Sequence, residues 1–183
     1  MVKIRYILLL LILGSAIWVA MAAAAPGERE LLRYTQGHDM IASGDFPLLQ
    51  VFDSGRVRVH LPAWMKNSGD YEYFLTDREF KVLKDRLGSR SVQDFDRAAV
   101  EKELRAAEAA AVAGGRQLFE ISDNTYTRMV LNPGSSGQEK NISWTNLQND
   151  AQRHAGLREL GELAETERLL QKLLHHPQMK PLD

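Results

Sequence analysis

Cysteine is absent from this 183-residue chain. That excludes disulfides, thiolate metal sites and a cysteine nucleophile. It also excludes a lipid attached to a cysteine behind an export signal. A charge excess of either sign is missing: 23 Lys and Arg stand against 24 Asp and Glu. Such a balance leaves no electrostatic footprint for nucleic acid or an anionic membrane surface. Short catalytic signatures are missing as well. No G-x-x-x-x-G-K-[ST] or G-x-G-x-x-G occurs, so no nucleotide or other cofactor is expected. No serine lies in G-x-S-x-G or S-x-x-K, and the histidines lack the H-E-x-x-H spacing of a zinc site.

What the chain does have begins at its first residues. Lys3 and Arg5 precede an apolar run from Tyr6 to Val19, followed by Ala20-Met21-Ala22-Ala23-Ala24-Ala25-Pro26. A basic start, an apolar centre and an A-x-A site are the pattern of a secretory signal peptide. Pro26 disfavours a cut after Ala25 because it fixes φ and removes an N–H. Cleavage is therefore expected after Ala24, leaving an exported, periplasmic or secreted chain with a slight acidic excess. The competing reading is an uncleaved membrane anchor, since Tyr6–Ala25 has the length to cross a bilayer. Membrane association is expected only in that case.

Behind a lead-in over 25–46, with helical turns expected from Glu28 to Tyr34, one α+β domain is expected over 47–175. Pro47–Phe52 reads as a strand and Asp53-Ser54-Gly55 as a tight turn. Arg56–Leu61 alternates, with Val57, Val59 and Leu61 on one face and Arg56, Arg58 and His60 on the other. Tyr71–Leu75 reads as a third strand. Thr76 and Glu79 then form the spacing of a capping box, opening a helix to Leu87. A helix is expected over 97–113 from the stripe Val100, Leu104, Ala107 and Ala111. Strands follow at Gln117–Ile121, Thr125–Leu131 and Glu139–Ser143. A helix over Leu147–His154 comes next, then one over Leu157–Leu174 with Leu157, Leu160, Ala164 and Leu170 inward. Residues 176–183 are expected to be a disordered tail.

Turn residues recur in the same order in both halves. Asp53-Ser54 parallels Asp123-Asn124, Pro62 parallels Pro133, Ser68-Gly69 parallels Ser136-Gly137, and Thr76-Asp77 parallels Thr145-Asn146. The pattern suggests two βββα units, 47–88 and 116–155, joined by helix 97–113. Chance recurrence of turn residues explains it equally. Either way the expected architecture is an antiparallel sheet of about five or six strands with helices on one face.

No metal site is expected. His175 and His176 are neighbours on a helix end, about 100° apart, and favourable interaction with the helix dipole explains them. The candidate binding surface is the polar face of the sheet: Arg56, Arg58 and His60, with Glu72 beside them and Glu120, Arg128 and Tyr126 from the second half. A hydrated outer face is the competing reading. Trp64 and Met65, in the loop Pro62–Asp70, are either a contact site or a plug over the core. Together these features suggest an exported, non-enzymatic protein that binds a protein or envelope component. A small envelope hydrolase and a membrane-tethered module are the alternatives.

Overall fold

The computed structural model describes residues 27–38, 47–115, 124–135 and 138–182. The signal segment, Glu120, the expected strand Gln117–Ile121, Asp123 and Ser136-Gly137 lie outside them. So the comparison of the two halves lacks a strand on one side. Among the described residues no helix is long and apolar enough to cross a membrane.

Among the described residues seven strands form one antiparallel sheet: β1 (Glu30–His38), β2 (Leu49–Phe52), β3 (Arg56–Leu61), β4 (Gly69–Phe74), β5 (Thr125–Leu131), β6 (Lys140–Thr145) and β7 (Lys180–Pro181). Their order across the sheet is β6-β5-β1-β2-β3-β4-β7. Five helices accompany them among the described residues: α1 (Asp77–Leu87), α2 (Arg90–Gln93), α3 (Arg97–Ala113), α4 (Leu147–Arg153) and α5 (Arg158–Leu173). The fold is α+β.

Period-2 alternation decides which side of each strand is buried. Leu32 faces Val51 and Leu131 across the ladders, Tyr34 faces Leu49 and Met129, and Val57 faces Tyr73. These residues share the inner face. The buried side chains of the helices, among them Leu83, Val92, Val100, Leu147, Leu163 and Leu170, join the same cluster. α5 packs against α1, α2 and α4 and so holds the helical layer together.

The capping box at α1 is complete. Thr76 accepts from the Glu79 N–H at 3.3 Å, and Glu79 accepts from the Thr76 N–H at 2.9 Å. α3 spans Arg97–Ala113, with Asp96 accepting from the N–H groups of Ala98 and Ala99. At the β2–β3 turn Gly55 has φ +82°, a conformation that costs other residues strain.

Two expectations are corrected. Glu28–Tyr34 does not make helical turns. Glu30–His38 is instead a central strand, paired with β2 on one side and β5 on the other. Leu32 and Tyr34 are completely buried there, and two ladders satisfy the backbone more fully than one isolated helical turn would. Nor is the tail disordered from residue 176. Tyr71 and Glu72 of β4 pair with Pro181 and Lys180, and the Leu182 N–H donates to the Asp70 carbonyl at 2.8 Å. Pro181 is tolerated because β7 is an edge strand, where no further ladder needs its missing N–H. These two strands raise the count above the expected five or six.

Candidate functional site

The outer face of the sheet carries the residues singled out by pattern. One cross-strand row runs over all seven strands: Asn141, Val130, Arg33, Gln50, Arg58, Glu72 and Lys180. Arg56 and His60 flank Arg58 on β3, opposite Phe74 and Asp70. Arg128 lies apart on β5, separated from β3 by β1 and β2. The structure therefore brings Arg56, Arg58, His60 and Glu72 together and leaves Arg128 with its own neighbour, donating to Asn141 Oδ1 at 3.3 Å.

Acids already answer most of these cations. Arg56 Nε donates to Glu28 Oε2 at 3.0 Å, and Arg56 Nη1 stands 3.7 Å from Glu72 Oε2. The Glu28 hydrogen bond raises the Arg56 pKa. Arg58 moves the other way, lowered by burial and then by the Arg56 charge beside it. Both guanidiniums lie over the Phe52 ring, 4.4 and 5.8 Å from its centroid, and Phe52 is only 3% exposed although it stands on the outer face. Arg33 and Gln50 both donate to Glu30, and His60 Nδ1 meets Asp70 Oδ1 at 2.7 Å. The face is a mesh of internal pairs with little net charge to offer.

Trp64 and Met65 separate in the structure. Met65 is partly buried against the core, whereas Trp64 is 50% exposed. The loop thus contains both a plug and an unburied indole. Tyr126 is exposed at the outer face.

Pattern reading passed over Glu167, on the opposite side of the sheet. α5 buries Leu160, Leu163, Ala164, Glu167 and Leu170, at helical spacing. Glu167 occupies a position where an apolar residue belongs, and that break in the stripe was its signal. It is 1% exposed. Its Oε1 accepts from the Tyr34 hydroxyl at 3.3 Å and from the Thr127 hydroxyl. Its Oε2 accepts from Gln148 Nε2 at 2.6 Å. Among the described residues each hydrogen bond to it comes from a neutral group, and both oxygens are engaged. Burial, and then the Glu167 charge, push the Tyr34 hydroxyl far above the usual tyrosine range.

Glu167 lines a cavity of about 270 Å³ between the end of the sheet and α4. Gln36, Thr125 and Thr127 line it from the strands, and Asn146, Gln148, Asn149 and Gln152 line it from α4 and its start. Asn146 takes the left-handed conformation, φ 59°. Its Oδ1 then accepts the Thr125 N–H at 2.9 Å, tying α4 to β5. Among the described residues, no protein group hydrogen-bonds the side-chain amides of Gln36, Asn149 and Gln152. Among the described residues the lining holds one acid, no histidine and no basic residue. It offers donors and acceptors for a polar molecule, but no second carboxylate for paired acid–base work.

No family model, no curated protein and no solved structure matches this chain. The functional reading therefore rests on the site alone. Among the described residues no group of three or more His, Asp and Glu side chains could hold a metal ion.

Proposed function

We propose that this is an exported, non-enzymatic binding protein and that the Glu167 cavity takes a small polar ligand. One observation carries the reading: a nearly inaccessible carboxylate forms part of the wall of a polar cavity that also presents three unengaged amides. A buried charge is costly to maintain, and replacing it with an apolar residue of similar size is often neutral or stabilising. Its presence in an otherwise apolar stripe favours a role beyond packing. The lining favours binding over hydrolysis, since among the described residues it holds two hydroxyls, those of Thr125 and Thr127, and a single carboxylate, with no second acid–base group to pass a proton onward.

Screening small polar compounds by thermal shift tests this reading. Hits are expected to raise the melting temperature of the native protein and to lose that effect in Gln36→Leu and Gln152→Leu. Hits that act equally on those variants would place binding elsewhere. Export is tested by the mass of the chain recovered from a secreting host, expected to begin at Ala25.

A second reading is favoured by the row from Asn141 to Lys180, which continues across the whole sheet. It places a protein or envelope partner on the outer face, around Arg58 and Glu72. Charge reversal at Arg58 would abolish capture of such a partner and leave the cavity's hits untouched.

A further inference from the structure

The cavity's charge pattern narrows what it takes. We infer that its ligand carries an ammonium group, which Glu167 receives; this rests on the reading of the cavity as a binding site.

Glu167 is nine-tenths buried and more, and its hydrogen-bond donors are all neutral: a phenol, an alcohol and an amide. These three hydrogen bonds hold the carboxylate without supplying a positive charge. The nearest cation in the network, Arg168, stops one step short. Arg168 Nε donates to Gln148 Oε1 at 2.9 Å, and Gln148 Nε2 then donates to Glu167. Arg168 itself is exposed, so its charge is largely screened by water. Among the described residues no lysine, arginine or histidine lines the cavity. A carboxylate in a place of low dielectric, with no counter-ion among the described residues, favours a cation and rejects an anion.

The geometry leaves room for that contact. Oε1 receives two donors, whereas Oε2 receives one and keeps an acceptor direction open. An ammonium has three donors, enough for Glu167 and for amide oxygens elsewhere in the lining, which includes Gln36 and Asn149. The rest of the lining sets the remainder of the molecule. Among the described residues Leu147 is the only apolar one in the lining and no aromatic ring joins it, so a stacked base or ring system gains nothing from them. At about 270 Å³ the space sits at the small end of ligand cavities. The inferred ligand is a compact amine bearing hydroxyl or amide groups.

Three probes of nearly equal size separate charge from shape: ethanolamine, ethylene glycol and glycolate, titrated at pH 6 into the purified, isotope-labelled protein. The Thr127 backbone and Gln148 and Gln152 side-chain amide signals report on the cavity. Ethanolamine is expected to bind at least about tenfold more tightly than ethylene glycol, and glycolate not to bind. Glu167→Gln is expected to remove the ethanolamine preference. The comparison within the native protein stands even where that variant fails to fold. Equal response to ethanolamine and ethylene glycol would overturn the ammonium inference and leave the cavity as a neutral-ligand site. No response of the cavity signals to any probe would overturn both.

Discussion

Tyr73 and His176 stack face to face, with 4.3 Å between ring centroids and 1° between their planes. The contact fastens the end of the helical layer to β4. Tyr73 also donates to the Leu173 carbonyl at 2.7 Å, and His176 Nε2 meets Glu79 Oε1 at 3.2 Å. Glu79 thus serves two ends of the chain at once, capping α1 and holding the residue that leads into β7.

Acid should weaken this arrangement first. The Thr76 hydroxyl, the Thr76 N–H and His176 together lower the Glu79 pKa from 4.5 to about 2. The folded chain then binds fewer protons here than the unfolded chain. The stabilisation is complete above about pH 4.5 and is lost as pH falls through about 2. Glu79→Gln should flatten that part of the acid profile. Urea midpoints measured from neutral pH downward check it; an unchanged profile would remove Glu79 from the account.

Removing the residues after His176 should loosen β4 locally. The truncated chain loses the β7 pairing and the Leu182 bond to Asp70. Amide exchange at Tyr71 and Glu72 is expected to quicken while β1 and β5, in the sheet interior, keep their protection. Uniform loss of protection would mean that the tail stabilises the whole domain.

Arg56 should matter more to stability than its surface position suggests. Its side chain is 11% exposed and that of Glu28 8%. Arg56→Ala leaves Glu28 buried beside Glu72 without its main partner, at a cost of about 3 kcal/mol. Chemical denaturation measures it. Arg58→Ala should cost less, because burial lowers the Arg58 pKa whereas the Glu28 hydrogen bond raises that of Arg56. Tests of partner binding on this face are therefore better made at Arg58 than at Arg56.

Glu167→Ala should cost about 3 kcal/mol, because the donors of Tyr34, Thr127 and Gln148 lose their acceptor together. Glu167→Gln keeps the shape and one acceptor oxygen, and its cost should be about 1 kcal/mol. Equilibrium unfolding of the two variants checks the order. An apolar Glu167→Leu variant more stable than the native chain would confirm that the carboxylate is retained at the expense of stability.

Much of the framework was readable from short-range chemistry. The alternation of Arg56–Leu61, the Thr76–Glu79 box and the bounds of α3 at 97 and 113 all follow from residues within a turn or two of one another. The outer-face membership of Arg56, Arg58, His60 and Glu72 was readable for the same reason. Their pairing was not. The partner of Arg56 is Glu28, 28 residues earlier, in a stretch whose local composition suggested a helix. Glu167 was legible only as an acid interrupting an apolar stripe. Nothing near it in the chain announces Tyr34, which lies 133 residues away.

Local order here belongs to the sequence: hydrophobic period, caps and turn residues act over a few positions and need no distant partner. The return of the chain decided the rest. Placing Glu30–His38 between β2 and β5 gave that segment two ladders, put Tyr34 under α5 and set Gln36 opposite Thr127. That single placement built the floor on which Glu167 rests. It depends on long-range ladder hydrogen bonds and apolar burial, which local propensity does not encode.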